Sequence, residues 1–261
     1  MTAARPAKPG PAGAATWVTM AVAALFLWAA LSLEVSAERL RGLPGELLRI
    51  FGEMVPPDLA YARDSVVPAI LESIQIAWLG TLIGALLSLP IGLLAARNLF
   101  PRTGLLMKPF LAAVRAVPEI LLAIYFVPVV GLGAFAGTLA IGLHSVGMLG
   151  KLTADVVESM DTRPVEAVTA CGGGSTSVVR FAVLPQVLPE VIAIWLFRFE
   201  INLRASAVLG VVGAGGIGGV LLNTLRYRQF ARAGSVILLT VLVVLAIDTL
   251  SGWIRARMVR E

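Results

Sequence analysis

Cysteine and histidine are nearly absent from this sequence, which has one cysteine, Cys171, and one histidine, His144, among 261 residues. A single cysteine excludes an intrachain disulfide and a metal site with several thiolate ligands, and a single histidine excludes a histidine cluster. Charged residues make up only 14% of the chain and hydrophobic residues 58%, whereas soluble globular proteins carry about 25% charged residues. Because the apolar residues are gathered into long runs, the composition indicates a transmembrane protein.

The formal charge of +5 does not by itself indicate nucleic-acid binding. Most lysines and arginines lie in short segments that flank the apolar runs, which is the distribution that the positive-inside rule produces. We therefore predict no nucleic-acid partner, and membrane lipid as the environment of the chain.

The N-terminal part of the chain divides into three segments. Residues 1–15 are rich in proline, glycine and alanine and are predicted to be a disordered cytoplasmic N-terminus. Residues 16–33 are uncharged and long enough for a first transmembrane helix. A cleavable signal peptide is the alternative, because basic residues precede this run and residues 35–37 resemble a cleavage site. Residues 34–66 are predicted to be an extracytoplasmic connector with a short amphipathic helix.

The core transmembrane domain is predicted over residues 67–254, followed by a basic cytoplasmic C-terminus over 255–261. Five further candidate crossings lie at about 68–95, 109–130, 133–150, 188–212 and 235–254. Six crossings make an all-α polytopic bundle with both termini on one side of the membrane. That side is predicted to be the cytoplasm, because the termini, the 96–108 turn and the 151–187 loop carry most of the basic residues.

One basic patch departs from this distribution. Arg226, Arg228 and Arg232 fall on the outer side when six crossings are counted. Two explanations stay open: the topology changes near these residues, or the arginines bind an anion or a partner.

A polar segment, residues 164–189, separates the fourth crossing from the fifth. Glycines 172–174 predict a sharp turn between two short cytoplasmic helices. Pro185 and Pro189 predict the end of one helix and the start of the next, because proline has no backbone N–H to donate.

Five residues of this segment resemble the EAA loop, the element with which ABC importer permeases dock into a cleft of the cytoplasmic ATPase. They are Glu166, Ala167, Gly172, Leu184 and Pro185. By this resemblance they are the predicted ATPase-coupling residues, with Glu166 as an anionic handle for the partner. Val168 and Ala182 depart from the usual pattern, but both are small or apolar, so we expect the docking surface to be retained.

A cluster of glycines, Gly213, Gly215, Gly216 and Gly218, follows the fifth crossing. Three of them satisfy a G-x-G-x-x-G pattern, but a dinucleotide site also needs a βαβ unit and an acidic residue about twenty positions later. No acidic residue lies between positions 200 and 248. In a membrane segment, dense glycine instead predicts close helix approach or a flexible gate.

No phosphate-binding loop is present around Gly150-Lys151, because Ser145 occupies its first glycine position and Leu152 its Ser/Thr position. The chain is therefore predicted to bind no ATP and no other cofactor. The energy for any active process must come from another polypeptide.

Ionisable residues inside crossings cost about 2.5–3.5 kcal/mol each on insertion scales, and they usually mark a pathway or a buried pair. On the fifth crossing, Arg198 and Asn202 share one helix face, and Glu200 and Arg204 share a nearly opposite one. We predict that Glu200 and Arg204 form a buried ion pair in a helix interface. Arg198 has no acidic residue one turn away, so we predict that it and Asn202 face the pathway of an anionic substrate.

Three further polar residues lie in the third and fourth crossings. Arg115 and Glu119 are four residues apart on either side of Pro118. We predict that Arg115 lines the pathway and that Glu119 belongs to a buried ion pair. For His144 two roles stay open, a hydrogen-bonded packing residue or a part of the pathway.

Residues from about 57 to 254 resemble the permease subunit of phosphonate-type (PhnE-type) ABC importers. The resemblance is carried by ESIQIAWLGTLIGALLSLPIGLLAARN, FVPVVGLGAFAGTLA, the EAA segment and FRFEINLRASAVLGVVGAGGIG. It implies an all-α type I importer permease in the cell membrane that transports phosphonate, phosphate or phosphite. It also implies a second permease copy or a sister permease, an extracytoplasmic binding protein, and a cytoplasmic ABC ATPase dimer that holds ATP and Mg.

Two other classes of protein are weighed against this interpretation. A secondary anion transporter driven by an ion gradient is the alternative, but no matching half with interrupted helices is visible. A membrane phosphatase or phosphotransferase is disfavoured, because one histidine, one cysteine and few intramembrane carboxylates supply neither a nucleophile nor a metal site. The chain is therefore predicted to be a permease and not an enzyme, with no metal site.

Overall fold

The computed structural model of the chain describes residues 13–32 and 37–258. Within these two ranges every regular element is a helix and no strand occurs. Most of the predicted disordered N-terminus, most of the alternative cleavage site and the last residues of the C-terminus lie outside the described residues. The α-helices are α1 Gly13–Ser32, α2 Ala37–Glu53, α3 Leu59–Tyr61, α4 Val67–Ala95, α5 Pro101–Ala116, α6 Glu119–Val130, α7 Ala134–Ser159, α8 Arg163–Ala170, α9 Ser175–Ser177, α10 Leu184–Leu209, α11 Ile217–Arg226 and α12 Phe230–Met258.

The chain divides into two compact units, residues 1–52 and residues 53–261. In the first unit, α1 carries no charged residue and has a mean hydropathy of 1.7 over Ala15–Ser32, as a membrane-spanning helix requires. The polar helix α2 lies within the predicted connector, and an ion pair at 2.9 Å joins its residues Arg49 and Glu46.

The second unit begins with a continuous helical rod, Leu59–Ala95, which is longer than the predicted crossing at 68–95. Its first turns are α3 and a π-helical segment, Ala62–Val66, and α4 follows directly. Asp58 caps the rod, because its carboxylate accepts a hydrogen bond from the Tyr61 backbone N–H at 3.0 Å. The last residues of the predicted connector are therefore helical.

Small residues let α4 and α7 pack closely. A Cβ added at Gly80 would lie 2.6 Å from Ile141 Cγ2, and one added at Gly92 would lie 2.7 Å from Thr153 Cβ, so neither position accepts a larger side chain. Because the contacts follow the same order along both helices, α4 and α7 run in the same direction. A crossing in the opposite direction must lie between them, and α5 with α6 supplies it.

The third crossing, predicted over 109–130, is broken into α5 and α6, whose axes are bent by 80°. Pro118 explains the break, because it has no backbone N–H to donate and it holds Val117 in an extended conformation, with ψ 116°. The predicted crossing is therefore a bent pair of helices. As a result, Arg115 and Glu119 lie on different helices.

The fifth crossing extends further into the polar segment than predicted. The chain forms one continuous helical rod here, which consists of α9, a π-helical segment over Val178–Val183, and α10. The predicted break at Pro185 and Pro189 is therefore wrong. Pro185 lies in the first turn of α10, where the preceding π-helix has already shifted the hydrogen bonds: the Leu184 N–H bonds to the carbonyl five residues before it.

A glycine turn connects α10 to α11, and α12 covers the predicted last crossing at 235–254. Five helices or continuous rods within the described ranges are long and apolar enough to cross a membrane, and the bent α5–α6 pair brings the number to six. This count agrees with the six crossings predicted from the sequence.

Candidate functional site

A buried polar cluster lies where α4, α7 and α10 meet. It consists of Thr81 from α4, Ser145 from α7, and Arg198 and Asn202 from α10. Their exposed fractions are 5%, 0%, 5% and 0%. Arg198 and Asn202 point to this cluster together because they are one helical turn apart.

The hydrogen bonds of the cluster fix the orientation of the Asn202 carboxamide. The Thr81 hydroxyl donates its only proton to the Ala77 carbonyl at 2.6 Å, so it can only accept from Asn202. The Asn202 Nδ2 atom donates to Thr81 Oγ1 at 2.8 Å and to Ser145 Oγ at 3.0 Å. The Asn202 Oδ1 atom is buried and has no hydrogen-bond partner in the described part of the chain.

Arg198 brings a cation into the same cluster. Its Nε atom donates to Ser145 Oγ at 3.3 Å, and its buried Nη2 atom has no hydrogen-bond partner among the described residues. No carboxylate in the described ranges forms an ion pair with Arg198. An unpaired buried cation is costly, and this arrangement is suited to an anion that enters the bundle.

The break between α5 and α6 carries a second polar group. His144 Nδ1 lies 3.0 Å from the Val117 carbonyl oxygen, and His144 Nε2 lies 3.2 Å from Glu119 Oε2. Because a carbonyl only accepts hydrogen bonds, Nδ1 is the donor in the contact with Val117. His144 and Glu119 therefore tie α7 to the broken crossing, and the Glu119 charge also acts on Arg198.

Arg115, the other predicted pathway residue, is not brought into the cluster. Its side chain is exposed, and it makes no hydrogen bond or ion pair to any described residue. Its backbone packs against Gly147 of α7, where an added Cβ would lie 2.8 Å from the Arg115 nitrogen, and Pro118 places it on a different helix from Glu119.

The opposite face of α10 carries the other two predicted residues, but they do not pair with each other. Glu200 Oε1 lies 2.7 Å from Arg255 Nη1, and the two atoms form an ion pair without hydrogen-bond geometry. Arg204 forms an ion pair with Asp248. Both partners belong to α12. The expected pair within one helix is thus replaced by two pairs between helices, because α12 places an opposite charge against each residue.

The polar segment between α7 and α10 lies at the end of the bundle where α4 and α7 finish. Val165 and Val168 of α8 pack against a core cluster that includes Val157 of α7 and Val187 of α10. The outer face of α8 is left to solvent, including Glu166. The segment is therefore an exposed helix fixed to the bundle by its apolar face.

The five predicted coupling residues take different positions in this segment. Glu166, Ala167, Gly172 and Pro185 are exposed, and Leu184 is half-buried. Gly172 adopts φ +79°, which glycine tolerates best, and it turns the chain between α8 and α9. The two residues that differ from the usual EAA pattern do not lie on the exposed face: Ala182 is 1% exposed, and Val168 packs against the core cluster.

Two polar contacts fix the start of α8. The Asp161 carboxylate accepts hydrogen bonds from the Arg163 backbone N–H at 3.0 Å and from Arg163 Nε at 2.8 Å. The hydrogen bond from the Arg163 side chain is the main reason that the pKa of Asp161 is lowered, and the hydrogen bond from the Arg163 backbone N–H lowers it further.

A second acidic residue holds the end of α7. The Glu158 carboxylate accepts a hydrogen bond from the Arg97 backbone N–H at 2.8 Å and forms an ion pair with Lys108 at 2.6 Å.

The glycine cluster forms a tight junction between α10 and α11. Gly213, Gly215 and Gly216 all adopt positive φ, near +80°. A Cβ at Gly215 would lie 2.6 Å from the Ala134 backbone nitrogen, and Gly218 packs directly against the Ala207 carbonyl. The glycines thus permit close approach, as one of the two predicted explanations requires.

Arg226, Arg228 and Arg232 differ in their surroundings. Arg232 lies 3.4 Å from the Asp58 carboxylate and 4.9 Å from the centre of the Tyr61 ring. Arg226 and Arg228 are exposed. Arg228 adopts φ 52° in the turn between α11 and α12, which is uncommon for a residue other than glycine.

Four residues of these sites were not predicted from the sequence: Thr81, Ser145, Asp248 and Arg255. Hydroxyl groups within apolar helices and charged residues near helix ends are common in membrane proteins, so neither kind of residue stands out in the sequence. The partners of these four residues lie on helices that are distant in sequence, so only the packing of the helices reveals the contacts.

The chain matches a known family and several relatives. Residues 88–260 match the family of binding-protein-dependent transport system inner membrane components. The chain is 43% identical to the phosphate-import permease protein PhnE of Mycolicibacterium smegmatis, over 80% of this chain and 40% of that relative. It is 41% identical to the phosphite transport system permease protein PtxC of Stutzerimonas stutzeri, over 83% of this chain and 78% of that relative. It thus spans less than half of the first relative and about three quarters of the second.

Solved structures show the same fold. An inward-facing MetNI methionine ABC transporter chain superposes with a TM-score of 0.65 at 20% identity, over 74% of this chain and 95% of that chain. An amino acid ABC transporter solved with histidines superposes with a TM-score of 0.62 at 16% identity, over 74% of this chain and 93% of that chain. These likenesses concern the fold alone, and they confirm the predicted type I importer permease fold.

The predicted multi-pass membrane permease is confirmed by the family model, the relatives and the helical fold together. The family model covers well over half of the sequence and includes residues 164–189 and the polar face of α10. The chain therefore belongs to the family of binding-protein-dependent transport system inner membrane components.

Proposed function

We propose that the chain is the permease subunit of an ATP-driven importer of phosphorus oxyanions: phosphonate, phosphate or phosphite. The observation that carries this proposal is Arg198, a cation that is 5% exposed and has no carboxylate partner in the described ranges. An anion in a low-dielectric bundle needs such a cation or several hydrogen-bond donors. The relatives named for phosphate and phosphite transport support this cargo.

Arg198 and Asn202 line the translocation pathway in this proposal. Ser145 positions both, because its hydroxyl oxygen accepts from the guanidinium and from the carboxamide. His144 and Glu119 hold the break of the third crossing next to them. A change in the bend between α5 and α6 would therefore alter access to Arg198.

The energy comes from a cytoplasmic ABC ATPase dimer that binds ATP and Mg, and the coupling segment is its docking site. The exposed face of α8, with Glu166 and Ala167, is supported as this site because its apolar face is fixed to the bundle. Movement of α8 is transmitted to α10 through the helical rod that carries Arg198. ATP binding would open the bundle outward, and hydrolysis would return it inward.

The remaining partners and the orientation follow from the same scheme. An extracytoplasmic binding protein delivers the oxyanion, and a second copy of the chain or a sister permease completes the pathway. Both termini and α8 lie in the cytoplasm, and the turn with Arg226 and Arg228 lies outside.

The direct test is uptake by proteoliposomes that contain the permease, its ATPase and its binding protein. We expect ATP-dependent uptake of at least one of phosphate, phosphite or an alkylphosphonate, with ATP hydrolysis stimulated by the same anion. Uptake that runs on an ion gradient without the ATPase would contradict the proposal and identify a secondary transporter.

The coupling site is tested by Glu166→Lys. We expect the anion-stimulated ATPase rate to fall by at least about tenfold, because a charge at the docking surface is reversed, while the protein still inserts into the membrane. Glu190→Lys is the matched control, since Glu190 is an exposed acid on α10 outside the coupling residues. Normal transport by Glu166→Lys would exclude this docking site.

A further inference from the structure

Two buried polar atoms in the central cluster have no hydrogen-bond partner within the described ranges, and they are of opposite kinds. Arg198 Nη2 is a donor and Asn202 Oδ1 is an acceptor. Their side chains meet at one atom, because Arg198 Nε and Asn202 Nδ2 lie 3.3 Å and 3.0 Å from Ser145 Oγ. A ligand that satisfies both atoms must accept a hydrogen bond at one position and donate one at another.

We propose that this cluster binds a phosphorus oxyanion that still carries a P–OH group, and that Asn202 Oδ1 is the residue atom that detects the hydrogen. An anionic oxygen accepts from Arg198, and the P–OH donates to Asn202. This inference rests on the proposed function, since it specifies the ionisation form of the same cargo at the same site.

The acceptor role of Asn202 follows from the hydrogen bonds around its carboxamide. If the carboxamide were rotated by half a turn, its oxygen would lie against Thr81 Oγ1, and the Thr81 hydroxyl would have to turn its proton away from the Ala77 carbonyl to donate to it. The hydrogen bond from Thr81 to Ala77 at 2.6 Å would then be lost. These contacts therefore favour Oδ1 as the free acceptor.

Oxyanions differ in the hydrogen that they can offer to this acceptor. Phosphoryl groups have a second pKa of about 6, so part of the population keeps one P–OH at neutral pH. Sulfate has a similar size and charge but carries no hydrogen at neutral pH, so one of its oxygens would face Asn202 Oδ1. Because this acceptor is 0% exposed, water cannot relieve the repulsion between the two oxygens.

Selectivity is measured on the permease–ATPase complex in nanodiscs, without the binding protein that would otherwise select the anion first. Equilibrium binding of radiolabelled phosphate is competed with unlabelled phosphate, methylphosphonate and sulfate. We expect phosphate and methylphosphonate to bind at least about tenfold more tightly than sulfate, because a buried polar group left facing the wrong partner discriminates strongly.

Asn202→Leu removes the acceptor at similar volume. We expect the affinity of the variant for phosphate to fall towards its affinity for sulfate, so that the ratio of the two affinities approaches one. A purely structural role of Asn202 would lower both affinities equally, and that result would contradict the inference. The affinity ratio of the wild-type protein is a separate test that does not depend on how the variant folds.

The remaining outcomes separate the two proposals. Equal binding of phosphate and sulfate by the wild type would overturn the role of Asn202 but leave an oxyanion permease. No specific binding of either anion, together with unimpaired uptake by Arg198→Ala, would overturn both the role of Asn202 and the proposed pathway.

Discussion

The two faces of α10 carry the same kinds of residue in opposite situations. On one face Arg198 and Asn202 meet only hydroxyl groups, and each keeps a buried atom without a partner in the described ranges. On the other face Glu200 and Arg204 each meet an opposite charge on α12. Both faces have a high cost of charge burial, but only the second offsets it within the protein.

This difference separates two uses of a charge inside a membrane protein. Opposite charges on neighbouring helices fix the rotation of α10, and the rotation directs Arg198 and Asn202 into the bundle. The unpaired face is left available to a ligand. The ion pairs with α12 are thus positioning groups, and Arg198 is the group that we expect to contact the anion.

The largest effect is expected for Arg198→Ala, which removes the cation from the unpaired face. We expect ATP-dependent uptake to fall by at least about thirtyfold, which corresponds to about 2 kcal/mol for a lost desolvated charge contact. Assembly with the ATPase, followed by size-exclusion chromatography, should be unchanged. Arg198→Lys is the matched control, since it keeps the charge, and we expect a smaller loss. An equal loss of assembly and uptake would show that Arg198 is a packing residue.

The paired face responds differently to Glu200→Gln. Glu200 is 6% exposed and its removal leaves the Arg255 charge without its partner, so we expect a loss of about 2 kcal/mol in stability. The readout is the melting temperature of the purified permease. The double variant with Arg255→Gln should be more stable than Glu200→Gln alone, because no unpaired charge remains. Identical stability of the two variants would contradict the pairing.

A smaller effect is expected for Arg204→Gln. The Arg204 and Asp248 side chains are 49% and 30% exposed, whereas Glu200 is 6% exposed. If water reaches this less enclosed pair, its loss should cost less than about 1 kcal/mol. The melting temperature should fall by less than in Glu200→Gln. A larger fall would mean that the membrane, and not water, surrounds this pair.

The smallest effect is expected for Asp161→Asn, which removes the exposed ion pair between Asp161 and Arg163. The Arg163 side chain lowers the pKa of Asp161, so this carboxylate stabilises the fold above its unfolded pKa of about 3.9 and loses that contribution as the pH falls through the lower folded value. Thermal melts at several pH values should show a small acid-dependent loss in the wild type that the variant lacks. The same acid dependence in both proteins would exclude Asp161 as its source.

Local sequence patterns predicted part of the structure of residues 164–189. The amphipathic helix α8 and the turn at Gly172 depend on neighbours a few residues away, and such short-range preferences can be read from the sequence. The same local reasoning was wrong for Pro185, because a π-helical segment before it adapted the hydrogen bonds. It also missed the break at Pro118, although that residue was already singled out.

The central site was predicted only in part. Spacing along α10 separates Arg198 and Asn202 from Glu200 and Arg204, since a helix fixes which residues share a face. The partners on the other helices were not predictable, and Arg115, predicted to line the same pathway, has an exposed side chain outside the polar cluster of Arg198 and Asn202. Contacts between helices depend on how the helices rotate and slide against each other, which no local pattern records.

The sequence by itself determined that this chain crosses a membrane several times, that a polar helical segment follows the fourth crossing, and that Arg198 and Asn202 share a face of α10 nearly opposite to Glu200 and Arg204. These properties depend on hydrophobic length, on helical period and on the scarcity of acidic residues. Only the tertiary structure decided that α12 neutralises Glu200 and Arg204, and that Thr81 and Ser145 turn the Asn202 oxygen towards the free side of the cluster. The physical reason is that hydrogen bonds have direction, and direction between helices exists only once they are packed.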